Sequence, residues 1–179
     1  MWAPVSAMIV VGLVAGGYGF YRVEAQRIRL DKFHELAAIG ELKTSQIAQW
    51  RQERLNNARN TAESPFFARS VAAWLKDSGN VVLRDEFRLR LNLELRTEDY
   101  ADALLLDLDG HSLLAAKDSP GPVDAVTKKA VALALDGRQA ILSDLFRSTD
   151  GALYLDAVAP VSDVNNRPVA VVVLRSDAE

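Results

Sequence analysis

Chemistry is most strongly suggested at Leu104–Gly110, LLLDLDG, where Asp107 and Asp109 stand at the end of an apolar run. That spacing has the form of a phosphotransferase site, with Asp107 as nucleophile and Asp109 as general acid and base. The reaction would also need Mg²⁺ on further carboxylates, an oxyanion-binding Ser or Thr, and a lysine, all on a parallel sheet with crossover helices. The sequence does not offer that frame. A second strand-like run, Ser112–Ala116, follows at once and leaves no room for a crossover helix, and no acidic pair recurs at a matching strand end. Asp109-Gly110 is good hairpin-turn chemistry, so Asp107 and Asp109 are read as turn and surface residues.

Other catalytic constellations are missing from the sequence. It contains no GxSxG, no phosphate-binding glycine loop and no HExxH. Without cysteine there is no thiolate nucleophile, thiolate metal site or disulfide frame, and the two histidines, His34 and His111, lack metal-ligand spacing. No enzyme activity, metal or cofactor is therefore expected. A net charge of -3 gives no broad basic field for nucleic acid. The remaining candidates are polar residues set in otherwise apolar strand-like runs: Asp144, Arg147, Tyr154 and Asp156. Left buried without partners, each would cost roughly 1–3 kcal/mol, so a binding role is one reading. Strand alternation that places them on a solvated face is the other. Two acids, an arginine and a tyrosine would suit a small amine- or carboxylate-bearing molecule.

These residues need a scaffold, and 179 residues suffice for one domain plus an appendage. Trp2–Tyr21 carries no charged residue. Twenty such positions make a helix of about 30 Å, the thickness of a bilayer's hydrocarbon core. Trp2 at one end and Tyr18, Phe20 and Tyr21 at the other resemble interfacial aromatic belts. No good cleavage site follows the run, which favours an uncleaved anchor over a signal peptide. Arg22, Arg27, Arg29 and Lys32 follow the span with nothing basic before it, so local charge would place the next segment on the cytoplasmic side.

Residues 24–63 read as one long helix ended by Ser64-Pro65, with Leu36, Ile39, Ile47 and Trp50 forming a rough stripe. The stripe could pack on its own domain or on a twin helix in a homodimer. A second helix opens at Pro65 and stops at Ser78-Gly79-Asn80, and a third runs from Val82 to about Thr97 with Leu83, Phe87, Leu91 and Leu95 on one side. A hairpin follows, Ala103–Leu108 and Ser112–Ala116, then a helix over Val123–Asp136 closed by Gly137. Three strand-like runs end the chain: Gln139–Phe146, Ala152–Val161 and Pro168–Leu174. This order predicts an α+β domain with a five-stranded antiparallel sheet and a helix inserted after the second strand.

The run Glu41–Trp50, continuing through Glu53-Arg54 and Asn57-Ala58, resembles the long first helix of Cache (PAS-like) sensor domains of bacterial histidine kinases and cyclic-di-nucleotide signalling proteins. Ser143-Asp144-Leu145, Leu155–Val161 and Val169–Arg175 resemble the last three strands of that module. The similarity spans nearly everything after Tyr21. It implies a span over 1–23, a signalling helix over 24–63 and a sensor module over 64–179. It further implies a periplasmic module anchored in the inner membrane, a small-molecule ligand, and a cytoplasmic output domain beyond this chain. A ligand-free structural or dimerising ectodomain is the alternative, and a tethered hydrolase using Asp107 a more distant one.

Overall fold

In the computed structural model, the structure describes residues 39–98, 100–117, 123–149 and 151–178. The expected span and residues 24–38 of the expected long helix lie outside them. Among the described residues, no helix is long and apolar enough to cross a membrane. The chain divides into two compact units, Met1–Gln49 and Trp50–Glu179.

Residues 39–63 are helical and are termed α1. Within the first unit, residues 39–49 expose Ile39, Leu42 and Ile47, the first and last of them members of the expected stripe. Within the second unit, α1 buries Ala58 and Ala62. α2, Pro65–Lys76, starts on a proline whose fixed φ suits a first helical position. It directs Phe67, Val71 and Trp74 inward. α3, Val81–Glu98, buries Phe87 and Leu91 and half-buries Leu83 and Leu95, the side anticipated from their spacing. Phe67 meets Phe87 edge-on at 5.7 Å between ring centroids, a favoured aromatic geometry.

Six antiparallel strands follow: β1 Asp102–Leu106, β2 Ser112–Ala115, β3 Ile141–Leu142, β4 Phe146–Arg147, β5 Leu153–Ser162 and β6 Pro168–Asp177. The sheet order is β2-β1-β6-β5-β3, with β4 also pairing β5. α4, Ala125–Gly137, is inserted between β2 and β3 and ends at Arg138 in a left-handed conformation. Side chains alternate across the sheet, and both faces are covered, which explains why β1 is buried at all five positions. Ala103, Leu105, Ala157, Val172 and Leu174 pack toward α1, α2 and α3. Leu104, Leu106, Val158, Val171 and Val173 pack toward Ala130, Val131 and Ala134 of α4.

The five-strand expectation needs correcting, because Gln139–Phe146 is not one strand. At Ser143 the backbone N–H still donates to the Asp156 carbonyl at 2.8 Å, but it is the Ser143 hydroxyl that accepts the Asp156 N–H at 2.9 Å. A side chain thus replaces a backbone acceptor. The chain leaves the ladder at Ser143–Leu145 and rejoins it as β4.

Candidate ligand-binding site

On the α4 face, three charged residues stand in a row across the sheet. Arg175 of β6 lies opposite Asp102 of β1 on one side and Asp156 of β5 on the other. Directly opposed residues share a face, and alternation puts this row on the same side as Leu104, Val158 and Val173. Arg175 is 2% exposed and Asp156 fully buried. Ions so enclosed must be paired and hydrogen-bonded. Arg175 Nε donates to Asp156 Oδ1 at 2.9 Å and Nη2 to Oδ2 at 3.0 Å, the bidentate fork that suits guanidinium and carboxylate. Thr127, buried on α4, donates its hydroxyl to Asp156 Oδ2 at 2.6 Å and accepts from Arg175 Nη2 at 3.3 Å. One hydroxyl thereby ties α4 to the two central strands.

Aromatic rings flank the guanidinium. Its carbon lies 5.1 Å from the Tyr154 ring centre and 5.4 Å from that of Phe146, which Tyr154 faces across the β4–β5 ladder. These distances are within cation–π range. At the start of α4, Asp124 occupies the N-cap position without a capping side-chain bond, and its carboxylate accepts the Ser148 hydroxyl at 3.1 Å instead. Burial works against the charge of Arg175. The hydrogen bonds and charge of Asp156, followed by the charges of Asp102 and Asp124, outweigh it and hold the guanidinium pKa above its ordinary value. The charges of three carboxylates thus act on this one cation.

Of the four residues singled out from the sequence, this cluster contains Tyr154 and Asp156. Asp144 is exposed, its carboxylate 4.0 Å from Lys129 Nζ. Arg147 is exposed and donates to the Gly151 carbonyl within its own turn. Sequence reasoning passed over Arg175, Thr127, Asp102, Asp124, Ser148 and Phe146.

The Asp107 motif is a turn of the β1–β2 hairpin. Asp107 Oδ1 accepts the N–H groups of Asp109 at 3.0 Å and His111 at 2.7 Å, and Oδ2 meets His111 Nδ1 at 3.1 Å. The potential ligand atoms of Asp107, Asp109 and His111 fall within 4.8 Å of one another, but the group is largely exposed and organised by the turn's own hydrogen bonds.

No family model matches the sequence, and no curated protein matches it. Solved structures do. The sensor domain of the Vibrio cholerae histidine kinase DctB superposes with a TM-score of 0.60 at 14% identity, over 75% of this chain and 51% of that one. This chain therefore spans about half the length of the DctB sensor domain. A domain of a sensory box/GGDEF family protein from Vibrio parahaemolyticus aligns at TM-score 0.47 and 18% identity, covering 78% of this chain and 60% of that one. The extracellular domain of histidine kinase rpHK1S-Z16 aligns at 0.41 and 19%, covering 72% and 58%. The described helices and the antiparallel sheet superpose on the DctB sensor domain, and the chain shares the PAS-like fold of that domain.

Proposed function

We infer that the chain is the ligand-sensing input domain of a membrane-bound signalling receptor. In this reading residues 1–23 span the inner membrane, 24–63 form a signalling helix and 64–179 form a periplasmic sensor module. The module carries no catalytic step of its own. The observation that carries the reading is the Arg175–Asp156–Thr127 network, a buried charged cluster joining α4 to the sheet beneath Tyr154 and Phe146. The DctB sensor domain provides a solved example of the fold in a histidine kinase.

The ligand would sit at the half-buried Tyr154, above the enclosed Asp156, with Asp144 and Arg147 at the outer edge. Arg175 is already occupied by Asp156, so it is a poor anchor for a ligand carboxylate. The acidic charges that act on Arg175 and the Tyr154 ring favour an ammonium-bearing molecule. Because Thr127 fastens α4 to the strands, a ligand that prises or tightens this joint selects between two packings of α4 on the sheet. The exposed Ile39, Leu42 and Ile47 suit a homodimer through the long helix, which would carry the shift to a cytoplasmic output domain.

A thermal-shift screen of small amines and carboxylates on the full chain in detergent tests this. At a hundred times its Kd, a ligand adds about 2.7 kcal/mol, a rise of roughly 5–10 °C for a chain of this size. The expected result is such a rise with an amine, abolished in Tyr154→Ala. If no compound of either class stabilises the protein, the ligand-free ectodomain replaces this reading.

A further inference from the structure

The face of the sheet opposite Arg175 carries a concavity. A cavity of about 1160 Å³ lies between α2, the end of α1 and the β5–β6 hairpin. Ligand cavities run roughly 300–1,000 Å³, so this one is large enough for an extended molecule. It is open because its floor is built from small residues: Ala62, Ala68, Ala72, Ala140 and Ala159 line it. Larger side chains at those positions would close the space between helix and sheet. Val164, at the hairpin tip, is 85% exposed on its lip.

The rim is charged with one sign in excess. Arg59, Arg69, Lys76 and Arg138 line the cavity against Glu63 and Asp163. Asp163 is held by its own turn, Oδ1 accepting the N–H groups of Asn165 at 2.8 Å and Arg167 at 2.9 Å, which still leaves four cations against two carboxylates. Arg69 is oriented by a bond from Nε to the Pro65 carbonyl at 3.0 Å. Arg59, Lys76 and Arg138 form no ion pair among the described residues. A cationic rim on an alanine-floored trough, in a chain whose net charge is -3, is complementary to an apolar tail with an anionic head.

We propose that this groove is a second binding site, taking a free long-chain carboxylate whose tail lies along the alanine floor and whose head meets Arg69 and Arg138. Its occupant touches Arg59 and Ala62 of α1. The site is therefore in direct contact with the helix assigned to signalling, on the side of the sheet opposite the amine site.

The full chain in maltoside micelles is photolabelled with decanoate bearing a terminal diazirine, beside the matching decanol probe. The expected result is labelling concentrated in α2 and residues 159–169, displaced by unlabelled decanoate and much weaker with the alcohol. Reversing two exposed charges, Arg69→Glu with Arg138→Glu, should reduce labelling by about tenfold, the product of two modest surface contacts turned repulsive. Should that variant lose its helical circular dichroism, Ala72→Trp, which fills the trough, decides the matter through loss of label. Equal labelling by acid and alcohol, label spread over the whole surface, or undiminished label in Ala72→Trp would each overturn the proposal.

Discussion

Replacing Asp156 by leucine strands the Arg175 guanidinium in a site it cannot leave, since both side chains are essentially inaccessible. Three hydrogen bonds end on that carboxylate, from Arg175 Nε, Arg175 Nη2 and Thr127 Oγ1. Breaking a buried pair by removing one partner costs roughly 3–5 kcal/mol. Asp102 and Asp124 also stabilise the charge of Arg175, which keeps the loss toward the lower end, about 3 kcal/mol. That corresponds to a drop in Tm of roughly 6–12 °C. Arg175→Met should cost a similar amount, because it leaves the Asp156 carboxylate buried with Thr127 as its remaining donor. The double variant Asp156→Leu/Arg175→Met removes both charges together, and such replacements are often neutral or stabilising. It should lie within about 1 kcal/mol of the parent, giving a coupling energy of several kcal/mol. Urea denaturation of the four proteins measures it. Simple additivity of the two single losses would refute the buried pair as the organising contact of the α4 face.

Two turn carboxylates should titrate low. At Asp107 slight burial raises the pKa, but bonds from the His111 backbone and ring and the Asp109 N–H outweigh it, leaving it below the ordinary 3.8. At Asp163 the N–H of Arg167 acts first, burial opposes it, and Asn165 adds to the lowering from 3.8. Depressed folded pKa values mean that both carboxylates support the fold above about pH 4 and withdraw that support as the pH falls through the folded values. Carbon-detected NMR titration should find both below 3.8, and a value at or above it would contradict the turn geometry. Gly110 has φ +81°, and a Cβ there would sit 3.4 Å from Lys128 Cγ, so Gly110→Ala should lose about 1–2 kcal/mol in chemical denaturation. Gly79→Ala, with open space around it, should be nearly neutral and serves as the control. Leu104→Ala, deleting a fully buried side chain on the α4 face, should cost about 2–5 kcal/mol by the same assay.

The described helices and the β1–β2 hairpin were legible because local signals agree with the fold there: Ser64-Pro65 between two helices, Asp109-Gly110 between two apolar runs, four leucine and phenylalanine positions along α3. The site was legible only in part. Tyr154 and Asp156 stand out as polar positions of one parity in an apolar strand. Their partner Arg175 does not, for a reason lodged in the β5–β6 register. Counted out from the Asp163–Arg167 turn, where Ser162 faces Pro168, a regular hairpin would set Asp156 opposite Leu174. A register shift between Val161 and Ser162 moves it opposite Arg175. A one-residue slip exchanges faces, so the ion pair depends on a bulge that no local motif announces. Asp144 and Arg147 fall outside the buried cluster, Asp144 because the strand that would have carried it is interrupted. The chain leaves the ladder at Ser143, and the alternation assumed across Gln139–Phe146 does not persist.

The central claim, a ligand held on the α4 face, is tested most directly by hydrogen–deuterium exchange on the full chain with a stabilising amine and without it. The account predicts added protection in residues 124–131, 143–148 and 153–157, the segments that carry Thr127, Phe146, Tyr154 and Asp156. Protection confined to residues 39–63, or none at all under saturating ligand, would contradict it.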